Sequence, residues 1–253
     1  MPFELVNWMF VFLRVSALLT VFPVFSTRNI PIQIRVALGA LTAFLIAPNL
    51  NPLNLTDLGF LSVVALMGKE ILVGLVIGFF SRMIFYALEM AGVIISTEMG
   101  LAMAQLYNPL TENSAQPPGT ILFYLGAVLF LCMDFHHWLL MAFRQTYDVL
   151  PIGGAVMVEA LMKNAITATS RLFQVSLLMA APMITISFLV ALIFAVLGRA
   201  VPQMNVFVES FAVKTLSGMM VFGMTLNLLA IHIINYLRHL PEDILNTARI
   251  LRG

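Results

Sequence analysis

Two stretches of this chain, residues 172–197 and 215–237, run without a single Asp, Glu, Lys or Arg. A helix needs about 20 apolar residues to cross the hydrocarbon core of a bilayer, and both stretches meet that length. A chain carrying them must satisfy its backbone internally and show its side chains to lipid or to other protein. The short link between them makes the pair a helical hairpin. Composition agrees: 61% of residues are hydrophobic and only 10% charged, against about half and a quarter in a soluble domain. The expectation is an integral membrane protein. Its net charge of +1 and its lack of a basic cluster with interleaved aromatics argue against a nucleic-acid partner.

The remaining apolar segments are interrupted by charge. Residues 5–25 contain Arg14, and residues 36–47 are ended by Pro48. Residues 60–80 contain Lys69 and Glu70, residues 83–104 contain Glu89 and Glu98, and residues 120–143 contain Asp134, His136 and His137. A charge at mid-bilayer costs at least about 2.5–3.5 kcal/mol on insertion scales. Local pairing does not relieve this. Neighbours such as Lys69 and Glu70 point about 100° apart on a helix, and Glu89 and Glu98 fall on opposite faces. Their partners are therefore expected on other segments, on other subunits or in water, so much of the chain should be packed in protein or line a wet path.

Polar stretches divide the chain. Residues 105–119, QLYNPLTENSAQPPG, read as a loop. Residues 144–171 are mixed, with a turn at Pro151 and Gly153-Gly154, and with Glu159 and Lys163 spaced to support a short exposed helix. Pro182 should kink the helix over 172–197. The opening MPFELVNWMF lacks a basic cluster and a cleavage site, so the first segment is expected to be retained. Arg199 and Lys214 favour cytoplasmic placement of the hairpin tip, residues 198–214.

No sequence pattern points to an enzyme. Cys132 has no second cysteine to pair with. Asp134, His136 and His137 have good metal-ligand chemistry, but adjacent histidines diverge on a helix. Neither a metal nor a cofactor is expected; these groups should instead close a helix end. A nucleophile elbow and a phosphate-cradling glycine loop are also missing from the sequence. Unpaired charges and proline-broken helices also suit an ion-coupled secondary transporter, although the chain has no matched halves. Methionine is abundant, 17 of 253 residues. Met99 and Met103, one turn apart before the loop, suit either core packing or a soft seal that reshapes around a passing object.

The tip motif Arg199-Ala200-Val201-Pro202-Gln203-Met204-Asn205-Val206-Phe207, followed by Phe211 and Lys214, resembles the signature of the FliR family of flagellar export proteins and its virulence-type SctT relatives. RVSALLTVFPVFSTRNIPIQIRVALGALTAFLIAP at 14–48, Glu70-Ile71-Leu72-Val73-Gly74 with Gly78-Phe79, Asp134 with His136-His137, and Leu150-Pro151 agree in order and spacing. Two stretches depart: Ser210-Phe211-Ala212-Val213-Lys214 stands where the family commonly reads Gly-Phe-Pro-Leu-Lys, and Phe135 where it often has Gly. The resemblance implies an all-α protein in a helical export-gate assembly that passes unfolded substrates across the bacterial inner membrane, within a flagellar or injectisome basal body. Its implied partners are FliP-like and FliQ-like subunits in a hetero-oligomer, an FlhB-like switch protein, the exported chains and membrane lipid. Residues 1–171 would be FliP-like, 172–237 a FliQ-like hairpin, and 238–253 a polar tail. The implied plug and seal comprise Met99, Met103, Leu106, Tyr107, Asn108, Pro109 and Glu112. The implied cytoplasmic tip comprises Arg199, Pro202, Gln203, Asn205, Phe207 and Lys214. Lys69, Glu70, Glu89, Glu98, Asp134, His136 and His137 would be sheltered by neighbouring subunits.

Overall fold

The computed structural model of the chain describes residues 5–27, 30–51, 59–101, 117–156 and 159–253, Phe207 by its backbone only. Every element among these residues is helical. α1 is Leu5–Val21, α2 the single turn Pro23–Ser26, and α3 Ile32–Ile46, which tightens into a 3-10 turn at Ala47–Asn49. α4 is Phe60–Glu98, α5 Pro117–Cys132, α6 Phe135–Val149, α7 Glu159–Ala200, α8 Val206–Leu237 and α9 Leu240–Arg252.

Several boundaries differ from the expected ones, each for a local reason. The segments expected at 60–80 and 83–104 are joined, as far as Glu98, in one 39-residue helix, α4. Nothing at their junction breaks a helix: the Ser81 hydroxyl donates to the Ile77 carbonyl at 2.7 Å, a bond a helix interior accommodates. The segment expected at 120–143 is instead divided by Asp134, whose backbone is left-handed (φ 59°, ψ 18°). Asp tolerates that conformation better than most residues, and its carbonyl then accepts from His137 N at 3.0 Å to start α6. Helix α5 begins at Pro117, inside the expected loop, because proline is at home in a first turn. Glu159 and Lys163 open not a short helix but the 42-residue α7, which continues on both sides of Pro182. Glu159 in its first turn and Arg199 in its last complement the helix dipole.

The chain packs as two compact units, residues 1–83, 134–169 and 238–253 in the first, and 84–133 and 170–237 in the second. In the first, α1 packs on α3 and α6 on α9. Phe10, Val11, Val15, Leu18, Ile77, Leu139, Phe143 and Ile244 fill its interior. In the second, α5 packs on α8, around Phe85, Leu88, Ile95, Leu122, Phe130, Ala180 and Ile233. Gly92 and Gly119 bring two helices of this unit into backbone contact, leaving no room for a Cβ on Gly92. Among the described residues, four stretches are long and apolar enough to cross a membrane, and five if Pro117–Cys132 with Phe135–Val149 counts as one broken span. Their outward faces are apolar too: on α8, Leu216, Met220 and Met224 are 75%, 71% and 78% exposed.

Candidate functional site

Helix α4 ends where the expected plug begins. Gly100 takes a left-handed conformation, φ 77°, and donates to the Thr97 carbonyl at 3.0 Å, while Leu101 N reaches back to Ser96 O at 2.9 Å. Such a glycine-based termination satisfies the last carbonyls of a helix. Gly100 is required twice over, since a Cβ there would also meet the Phe211 ring at 2.9 Å. Beside it Met99 is 2% exposed, and its carbonyl accepts from the Thr215 hydroxyl at 2.8 Å. Gly218 leaves room for the Met99 side chain, which would stand 2.7 Å from an added Cβ, with the Met183 methyl at 3.1 Å. Phe211, Thr215 and Gly218 recur at helical spacing on one face of α8. They seat the end of α4, and Met99 is a packed anchor in that seat. Met103, Leu106, Tyr107, Asn108, Pro109 and Glu112 lie outside the described residues.

The hairpin tip is tighter than its motif suggests. α7 ends at Ala200 and α8 starts at Val206, so Glu209 and Lys214 sit on α8 itself. The turn is closed by Val201 N to Leu197 O at 2.9 Å and Met204 N to Val201 O at 3.1 Å. Asn205 caps α8: its Oδ1 accepts from Val208 N at 3.4 Å, as expected of Asn before a helix. Arg199, Pro202, Gln203 and Asn205 are exposed and Lys214 is half-buried; the Phe207 side chain lies outside the described residues. The tip sequence therefore does two jobs in one unit. Its turn faces outward, and the first turns of α8 hold the end of α4.

The first unit contains a buried ion pair. Arg14 Nε donates to Glu70 Oε2 at 2.6 Å, and both side chains are fully buried. Arg14 Nη1 also donates to the Leu150 carbonyl at 3.2 Å, and its guanidinium lies 4.1 Å from the centre of the Tyr147 ring. Glu70 Oε1 accepts from Gly153 N at 2.9 Å. Gly74 makes the pair possible, because without a Cβ it lets α4 lie directly on the Arg14 carbonyl of α1. The pair thus ties α1 and α4 to the turn at residues 150–154, where Gly153 has φ 79°. Val156 N then bonds Leu251 O of α9 at 2.8 Å. Sequence reading isolated Glu70 but missed Arg14, Tyr147 and Gly153 as its partners. The available signal was a lone base, Arg14, in one apolar segment and an acid, Glu70, in another whose neighbour Lys69 points away from it on a helix.

The other singled-out ionisable residues among those described are not fully buried. Lys69, Asp134 and His137 are exposed, and Glu89, Glu98 and His136 are half-buried. Asp134, His136 and His137 do come together. Asp134 Oδ1 is 3.5 Å from His137 Nδ1, the two imidazole centres are 4.1 Å apart, and one donor atom from each residue falls within 4.8 Å of the others. The group surrounds the break between α5 and α6, without a side-chain cap on α6.

The sequence model for bacterial export proteins, family 1, matches residues 5–240. The chain is 31% identical over 249 residues to the flagellar biosynthetic protein FliR of Pectobacterium carotovorum subsp. carotovorum, covering 96% of this chain and 95% of that protein. It is 31% identical over 238 residues to the FliR of Escherichia coli strain K12, covering 92% and 88%. To the Yop proteins translocation protein T of Yersinia pestis it is 27% identical over 205 residues, covering 80% and 78%.

Proposed function

The chain belongs to the bacterial export proteins, family 1, and from that premise we propose that it is a structural, pore-forming subunit of a type III export gate. It would sit in the bacterial inner membrane and pass unfolded protein substrates. The observation that carries this reading is end-to-end likeness to FliR in a chain whose long helices leave apolar faces and several charges exposed. Those faces call for company. Lys69, Glu89, Glu98, Asp134, His136 and His137 would be sheltered by FliP-like and FliQ-like subunits, as part of a hetero-oligomer. The division into a FliP-like 1–171, a FliQ-like hairpin 172–237 and a tail 238–253 belongs to the same proposal. The ion-coupled carrier finds no support, since the family and these relatives are export and translocation proteins.

The gate performs no chemistry in this account; it supplies a passage and a seal. Residues 102–116 leave from the Met99–Gly100 seat and return at Pro117 beside the Gly92–Gly119 contact. The described residues on either side, Met99–Gly100 and Pro118–Gly119, are packed against α8 and α4. Met103, Leu106, Tyr107, Asn108, Pro109 and Glu112 would close the pore at rest. Because Phe211, Thr215 and Gly218 hold the seat, a displacement of α8 at the tip moves the base of the plug. Arg199 and Lys214 would position the tip at the cytoplasmic entrance, where an FlhB-like protein docks. The test is complementation of a strain lacking its FliR homologue. The full chain restores export, and deletion of 108–116 raises ion leakage through the assembled gate. Failure to support export, with the protein present in the membrane, overturns the proposal.

A further inference from the structure

Helix α4 carries one exposed cation, and its other exposed side chains are apolar except for Ser62 and Thr97. Lys69 is exposed and forms no ion pair among the described residues. Glu70, next in sequence, is already held by Arg14 and Gly153. Lys69 stands at one end of a groove of about 270 Å³. Leu72, Val73 and Val76, on the same helical face as Lys69, make one wall, and Ala155, Val156 and Leu251 make the other. Apart from the ammonium and backbone atoms, the lining is hydrocarbon. The last turn of α9, which contributes Leu251, adds two exposed cations, Arg249 and Arg252.

We propose that this groove is an anionic phospholipid site: an acyl chain lies between α4 and the Ala155–Val156 strand of chain, and Lys69 holds the phosphate. The volume is just below the usual range of about 300–1,000 Å³ for whole small ligands, so it takes part of a chain and not a complete lipid. Phosphatidylcholine would fill the hydrocarbon part equally well and also bring a phosphate, but its own choline cation offsets that charge, whereas an anionic headgroup leaves a net negative charge for Lys69 to neutralise. A lysine stem lying on apolar surface with its ammonium at the headgroup level is the arrangement long cationic side chains adopt in membranes. The ordering of Val156 by Leu251, through the bond at 2.8 Å, fixes the second wall, so the groove is formed before any lipid arrives. The inference rests on the chain being a membrane protein; it gives Lys69 to lipid in place of a neighbouring subunit and leaves the rest of the gate reading untouched, so the two fail separately.

The experiment uses the full chain, purified in mild detergent with whatever subunits accompany it and stripped of lipid. Dioleoyl phosphatidylglycerol or dioleoyl phosphatidylcholine is then added, and retained lipid is counted by native mass spectrometry. Phosphatidylglycerol should be retained in preference. Lys69→Gln should reduce that preference by about fivefold, the worth of one basic residue at an anionic surface. Lys69→Arg should keep it. Ala155→Phe, which fills the groove, should abolish retention without changing the assembly size. Equal retention of the two lipids overturns the proposal, as does a preference that survives Lys69→Gln or Ala155→Phe. So does a photoreactive residue at position 155 that captures a protein segment in cells in place of lipid.

Discussion

Replacing Glu70 by Gln isolates what the buried pair does. Both side chains are fully buried, so the variant leaves the Arg14 guanidinium charged with only the Leu150 carbonyl and the Tyr147 ring for company. Removing one partner of such a pair costs about 3–5 kcal/mol, chiefly because the surviving charge is stranded. The Gln amide oxygen can still accept from Gly153 N, so the loss reports charge and not the turn. Adding Arg14→Met removes the stranded charge, and the double variant should regain about 2 kcal/mol or more over Glu70→Gln. Exchanging the two residues should not rescue. Arg14→Glu would aim a carboxylate at the Leu150 carbonyl, and Glu70→Arg would aim a guanidinium at the Gly153 N–H, leaving both wrongly paired. The assay is reversible unfolding in mixed micelles by increasing sodium dodecyl sulfate, followed by tryptophan emission. Trp8 and Trp138 both lie in the first unit, so the signal reports the unit that holds the pair. A Glu70→Gln variant within about 0.5 kcal/mol of the parent, the range of exposed pairs, would refute the reasoning. A fully stable exchanged pair would refute it equally.

Further outcomes follow from the second unit. Gly92→Ala forces a Cβ into the Gly119 backbone and should cost about 1–3 kcal/mol or more, whereas Gly223→Ala meets open space and should gain up to about 1 kcal/mol in helix propensity; thermal unfolding of the two compares them directly. Thr215→Val removes the hydrogen bond to the Met99 carbonyl and should cost about 1 kcal/mol, while Met99→Ala empties a packed site and should cost about 2–5 kcal/mol. In a conductance assay both should loosen the seal if the seat holds the plug, and unchanged leakage would disconnect the two. Reversing charge at Arg199 and Lys214 together should impair assembly or export, and full motility or secretion in that double variant would remove their proposed role.

The helical hairpin was legible because its two arms lack charge and are punctuated by a polar turn, and α7 and α8 bracket that turn. Helix ends were read less well. The union of two segments in α4 has no local signature, since Ser81 and Arg82 look like a boundary until their bonds to Ile77 and Val21 are seen. The break at Asp134 was hidden for the opposite reason: apolar residues flank it, and a left-handed aspartate has no mark in the hydropathy. The need for a partner at Glu70 could be read from the cost of a lone charge, but its identity could not. Arg14 is 56 residues away, and only the close approach allowed by Gly74 brings them together. Likewise Met99 could be flagged by composition, whereas its seat depends on Phe211, Thr215 and Gly218, more than 100 residues on, arriving on one face.

The central claim is that this chain completes its fold in the company of other export subunits. Its most direct test is to recover it from its native membrane in mild detergent and determine the mass and composition of the particle. The account predicts a large mixed helical assembly containing FliP-like and FliQ-like chains, with little free subunit. A homogeneous, compact monomer that is folded and functional alone would contradict it.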